Sequence, residues 1–139
     1  MKLVLDANIF ISSFFWGGKP RLVLERIIGK KDELFISKDI LLEIENVVNR
    51  PKFHADRNKI GYFIKSIEDI ANVISVKNKI KKGSRDTKDN KYLECAVAGS
   101  VDYIVSGDVH LLEIKKIGTI KIVTANEYLE ITTNTGKST

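Results

Sequence analysis

Short runs of aliphatic residues alternate along the chain with segments whose apolar residues recur every three or four positions. The runs at residues 2–5, 34–37, 71–76, 102–106 and 120–124 are of strand length and read as buried strands. Helical periodicity marks residues 19–28, 38–49, 56–69, 87–98 and 108–116. Residues 7–16 are apolar and β-branched enough to suit either state. Strands separated by helices predict an α/β fold with a mostly parallel sheet.

Turn chemistry punctuates this pattern. Gly17, Gly18 and Pro20 break the first connection, Arg50-Pro51 closes the helix before it, and Gly99 stands where a C-terminal helix cap belongs. No repeat or interdomain linker interrupts the sequence, so one domain is expected over residues 1–131. Residues 132–139 are polar and lack periodicity, and are expected to form a frayed tail.

Composition narrows the class. With 139 residues, 43% hydrophobic and 29% charged, the chain can fill a core and stay soluble, which excludes a disordered chain, a collagen-like fibre and a disulfide scaffold. The single cysteine, Cys95, reads as a small buried hydrophobe, and the two histidines, His54 and His110, form no zinc-type spacing with it. Asp6 interrupts the apolar start where a secretory leader needs its core, and no run approaches the ~20 apolar residues of a membrane span. A cytoplasmic domain is therefore expected. Lys and Arg total 23 against 18 Asp and Glu, a net +5 that mildly favours polyanionic partners.

Candidate chemistry lies among the acids. In open α/β sheets ligands bind beyond the carboxyl ends of the strands. Asp6 follows the strand Leu3-Val4-Leu5, and Asp108 follows Tyr103-Ile104-Val105 after a Ser106-Gly107 turn. Either could equally be a helix N-cap. On a helix from Thr87 capped by Asp86, Asp89 shares a face with Leu93 and Ala96, four and seven positions on. A carboxylate heading a buried stripe is costly unless satisfied, although an acid in a first turn is also favoured by the helix dipole. Glu43 borders the stripe of Ile40, Leu41, Ile44, Val47 and Val48 on one side and Glu45 on the other, and helical geometry does not choose between them.

Convergence of Asp6, Glu43, Asp89 and Asp108 would demand protonation or a cation. Two unit charges ~5 Å apart at an effective dielectric of ~20 repel by roughly 3 kcal/mol. Oxygen ligands without Cys or His favour Mg²⁺ or Mn²⁺ over zinc, and such ions suit phosphodiester hydrolysis.

Four segments resemble, in order, the motifs of PIN-domain ribonucleases. They are Val4-Leu5-Asp6-Ala7-Asn8-Ile9-Phe10-Ile11-Ser12-Ser13, then Ser37-Lys38-Asp39-Ile40-Leu41-Leu42-Glu43-Ile44, then Asp86 to Ala96, and Tyr103-Ile104-Val105-Ser106-Gly107-Asp108 with Leu111-Leu112. The likeness spans residue 2 to about residue 130 and is nearest to the branch described as toxins of toxin–antitoxin systems. It implies a three-layer α/β/α sandwich and an endoribonuclease using Mg²⁺ or Mn²⁺, with Asp6, Glu43, Asp89 and Asp108 as the catalytic and metal-holding acids. It also selects Glu43 over Glu45. Asn8, Ser12 and Ser106 match small polar positions that would orient the carboxylates. RNA is the implied substrate, an antitoxin protein and a second copy of the chain are implied partners, and His110, where relatives vary, has no essential role.

Two features bear on the substrate. Lys77, Lys79, Lys81, Lys82 and Arg85 precede the third motif, and Lys81, Lys82 and Arg85 are candidates for contacting RNA phosphates, although a solvated charged loop has the same composition. Phe14, Phe15 and Trp16 could stack on bases, but packing is the commoner use of such a cluster. A non-catalytic PIN-like module binding RNA or protein is the alternative function. A phosphoacceptor receiver domain fits poorly, because the strand ending at Ser37 lacks the acceptor Asp.

Overall fold

The computed structural model describes residues 1–77 and 89–137. The basic candidates Lys81, Lys82 and Arg85, and the cap expected at Asp86 with a helix from Thr87, lie outside the described residues. In chain order, β1 (Lys2–Leu5) leads into α1 (Ala7–Phe15) and α2 (Gly18–Ile28). Next come β2 (Glu33–Ser37), α3 (Lys38–Val48), a short 3-10 turn at Pro51–Phe53, α4 (Arg57–Ile70) and β3 (Ala71–Ile74). The last section is α5 (Asn90–Gly99), β4 (Tyr103–Val105), α6 (Val109–Ile114), β5 (Lys116–Ile117), β6 (Ile120–Val123) and α7 (Ala125–Lys137).

The strands form one sheet in the order β3-β2-β1-β4-β6-β5, parallel throughout except where β5 turns back on β6. Leu3, Val4 and Leu5 are all buried although neighbouring strand residues face opposite sides of a sheet, so β1 is covered on both faces. The crossovers β1–β2 and β2–β3 step one way and β3–β4 the other. Right-handed connections then set helices on both faces, giving the three-layer α/β/α sandwich.

Local chemistry explains the elements. The ambiguous segment after β1 is a helix, because Asp6 adopts extended backbone and its carboxylate caps α1 by accepting from Asn8 N–H. Ser37 caps α3 in the same way, accepting from Ile40 N–H at 3.3 Å, and α3 buries Ile40, Ile44 and Val48 on one stripe. Asp56 caps α4, which buries Ile60 and Ile67. Phe14 packs on Phe63 and Phe15 stacks on Phe53 at 4.8 Å, so these aromatics join α1 to the α3–α4 region as packing, while the Trp16 ring stays exposed.

Three expectations need correction. Gly99 is the last residue of α5 and not its left-handed cap. Ser100 takes that conformation (φ 49°, ψ 48°), with its N–H and that of Val101 bonded back to Val97 and Ala96 carbonyls. Gly99 is instead where a side chain would meet Phe35. The helix expected to reach residue 116 stops at Ile114, because Lys115 (φ 68°) turns the chain into β5. The chain beyond β6 is helical through Lys137 rather than a tail from residue 132. Buried Tyr128, packed edge-on against Tyr103, anchors α7, and the hydroxyls of Thr132 and Thr133 donate to the Leu129 carbonyl.

Candidate active site

Strand order fixes where a site can form. The connections reverse direction between β1 and β4, and ligands of open α/β sheets bind at such a switch point, beyond the carboxyl ends of the strands. The register Val4 to Ile104 and Leu5 to Val105 carries Asp6 and Ser106 out of the sheet side by side. Asp6 N–H still reaches the Val105 carbonyl at 3.0 Å, and Ser106 N–H the Val123 carbonyl at 2.9 Å.

Asp6 is the centre of the arrangement. It is 3% exposed, and its two oxygens accept separately: Oδ1 from Asn8 N–H at 3.1 Å and Oδ2 from Ser106 Oγ at 2.7 Å. Burial pushes its carboxyl above the ordinary carboxylate range. The Ser106 and Asn8 hydrogen bonds oppose that shift, and repulsion from Glu43 and Asp108 adds to it. Those two acids thus add, as the smaller causes, to the shift at Asp6. Ser106 Oγ in turn accepts from Asp108 N–H at 2.9 Å, so one buried hydroxyl links the acids that follow β1 and β4. Asp108 itself is half-buried and caps α6 through His110 N–H.

Glu43 arrives from the second turn of α3. Tyr92 Oη donates to Glu43 Oε2 and accepts from Ala7 N–H at 3.2 Å, and Lys91 Nζ lies 3.4 Å from the same carboxylate oxygen. Burial, followed by the negative charge of Asp6 and the hydrogen bond to Glu43, holds the Tyr92 phenol far above its usual pKa, so it remains a donor. Glu45 lies elsewhere, exposed in a groove between α3 and α4 lined also by Arg57, Lys65 and Glu68. The structure therefore separates the two acids that helical geometry left equivalent. Asp89 is buried at the start of α5, a helix packed on β1, β2, β4 and α3.

The smaller polar positions divide. Ser106 touches Asp6 directly. Asn8 acts through its backbone, its side chain being exposed. Ser12 is half-buried further along α1, and among the described residues no hydrogen bond joins its side chain to Asp6. His110 is exposed. Cys95 is buried with its thiol pushed up to about 12, inert at neutral pH. Lys91 and Tyr92 are the residues that sequence reasoning passed over. The available signal was that Tyr92 lies three positions after Asp89, on the same helix face.

The donor chemistry suits a hard cation: carboxylate oxygens only, one of them buried beside two further negative charges. In the present conformation, however, no three of the His, Cys, Asp and Glu side chains among the described residues stand close enough to ligate one ion. The fit is thus one of donor type and charge. Glu43 is currently engaged by Lys91 and Tyr92.

Among solved structures, the chain is similar to the crystal structure of VapBC2 from Rickettsia felis bound to a DNA fragment from their promoter. The two share 15% identity and a TM-score of 0.61, over 88% of this chain and 97% of that one, a likeness of fold. No curated protein matches the chain in sequence. No helix among the described residues is long and apolar enough to cross a membrane. Residues 2–110, a stretch that takes in Asp6, Glu43, Asp89 and Asp108, match the PIN domain family, and the chain belongs to it.

Proposed function

We propose that the protein is a metal-dependent endoribonuclease, the toxin of a toxin–antitoxin pair, in which Asp6, Glu43, Asp89 and Asp108 hold Mg²⁺ or Mn²⁺. The observation that carries this reading is the buried Asp6 carboxylate at the β1–β4 switch point, its pKa raised in part by Glu43 and Asp108. A buried acid under repulsion from two others is a poor surface for an anionic ligand and a good one for a divalent ion. Membership of the PIN domain family supports nuclease chemistry. The VapBC2 likeness supports testing an antitoxin as a partner.

When bound, Mg²⁺ or Mn²⁺ supplies an activated water and neutralises charge developing on the phosphoryl group. The chain's own residues prepare that chemistry. Ser106 and the Asn8 amide fix both Asp6 oxygens. Ser106 also sets the backbone from which Asp108 projects. Lys91 places beside Glu43 a positive charge of the kind that attracts a phosphodiester.

The deciding experiment incubates labelled single-stranded RNA with matched preparations of wild type, Asp6→Asn and Asp89→Asn, in Mn²⁺, Mg²⁺ or EDTA. Metal-dependent cleavage lost in both variants supports the reading. RNA binding that is indifferent to metal and to both substitutions, with no cleavage, overturns it in favour of a non-catalytic binding module.

A further inference from the structure

One phenolic oxygen joins three elements at the candidate site. Tyr92 on α5 gives its hydroxyl proton to Glu43 on α3 and takes the N–H of Ala7, the first residue of α1 and the neighbour of Asp6. The ring is 2% exposed, so the oxygen's position is set by packing. Glu43 by contrast is half-buried on a long, flexible side chain, at the boundary of an amphipathic helix. Left alone, such a carboxylate spreads over several rotamers, and gathering it for a ligand costs conformational entropy. Resting on the reading of these acids as a metal site, we propose that Tyr92 is a positioning residue that tethers Glu43 to the start of α1 beside Asp6, raising the affinity for a divalent cation.

Lys91 gives this proposal its contrast. Its ammonium lies 3.4 Å from the same Glu43 oxygen, but on a flexible four-carbon stem and as a point charge with freely rotating donors, so it supplies charge more than position. Loss of the phenol hydroxyl therefore loosens Glu43 and weakens cation binding. Loss of the ammonium removes a competing positive charge and strengthens it. A residue that merely filled the core would move neither quantity in this pattern.

The test is titration calorimetry of Mn²⁺ into the intact chain as wild type, Tyr92→Phe, Glu43→Gln, the double variant and Lys91→Met, with metal-free thermal unfolding of each. Phe keeps the ring's volume and removes the one atom at issue. We expect Tyr92→Phe to weaken Mn²⁺ about tenfold, to add no further loss in the Glu43→Gln background, and Lys91→Met to bind more tightly than wild type. Unchanged affinity in Tyr92→Phe, or losses that multiply in the double variant, overturns the tether and leaves the metal site standing. Failure of the wild type itself to bind Mn²⁺ or Mg²⁺ overturns the metal site, and the tether's role with it. Should Tyr92→Phe not fold, wild type labelled with 3-fluorotyrosine reads the same contact. Its Tyr92 fluorine resonance shifts in Glu43→Gln and on saturation with Mg²⁺, and a resonance that stays fixed overturns the proposal.

Discussion

Ser106 Oγ donates to Asp6 Oδ2 at 2.7 Å across the seam between β4 and β1, joining residues one hundred positions apart. The same oxygen accepts from Asp108 N–H, and Ser106 is fully buried. Replacing Ser106 by Ala strips Asp6 of the hydrogen bond that most offsets its burial and leaves the Asp108 amide without its acceptor. The expected cost is about 1–3 kcal/mol of stability in urea unfolding, with RNA cleavage down about tenfold as Asp6 loses its orientation. An Ala variant equal to wild type in both measurements would show that the seam contact is incidental.

Asp6 itself opposes the fold when ionised, and the sign can be worked out. Its folded pKa lies above its unfolded value, chiefly through burial, so the folded state binds more protons than the unfolded one between the two. The stability associated with this group is complete below the unfolded pKa, near ~3.9, and is lost as pH rises through the raised value. Asn keeps an equivalent helix cap without the charge. Metal-free Asp6→Asn is therefore expected to unfold at higher urea than wild type at pH 7, with the advantage fading as pH falls towards ~4. Its cleavage of RNA is expected to drop by about a hundredfold or more. A variant less stable than wild type at pH 7 would contradict the assigned shift.

How much of this was legible in the sequence depends on the range of the interaction involved. Asp6 and Asp108 could be placed at strand ends because strand, turn and cap chemistry are local, and each does cap a helix. The choice between Glu43 and Glu45 was not local. Both flank the buried stripe of α3, and of the two only Glu43 receives the hydroxyl of Tyr92 on α5, 49 positions away. Spacing puts Tyr92 on the face of Asp89, but its hydroxyl's partner on α3 is not legible for the same reason, and an aromatic on a buried helix face reads as core. The helix α7 is not legible in the sequence because its Thr-rich end has weak intrinsic propensity, while the helix is anchored by buried Tyr128 packed against Tyr103 of β4.

The end of α5 separates two residues whose roles the sequence interchanges. Ser100 holds a left-handed conformation that a non-glycine residue adopts at a cost of roughly 1 kcal/mol. Gly99 is helical, and a Cβ there would stand 3.1 Å from Phe35 Cδ1 and 3.3 Å from Val101 Cγ1. Ser100→Gly is accordingly expected to gain about 0.5–1 kcal/mol in thermal or urea unfolding. Gly99→Val is expected to lose about 1–3 kcal/mol through overpacking of α5 against β2. If Gly99→Val were tolerated and Ser100→Gly harmful, neither the close approach to Phe35 nor the left-handed strain at Ser100 would govern this helix end.

Divalent ions should act on stability as directly as on catalysis. A cation bound by the folded acids and not by the unfolded chain stabilises by about 2.7 kcal/mol at one hundred times its dissociation constant. In a domain of this size that corresponds to roughly 8–10 °C in the unfolding midpoint. Part of the effect comes from relieving the repulsion that Glu43 and Asp108 exert on Asp6, so it should exceed that of monovalent salt at equal ionic strength. The gain should vanish with EDTA and shrink in Asp6→Asn, which starts from a more stable metal-free state and retains one charge fewer to attract the ion. Differential scanning calorimetry of both proteins, with and without Mn²⁺, measures all four midpoints. Equal shifts in the two proteins would place the stabilising ion away from Asp6 and remove the main support for a metal site at the β1–β4 seam.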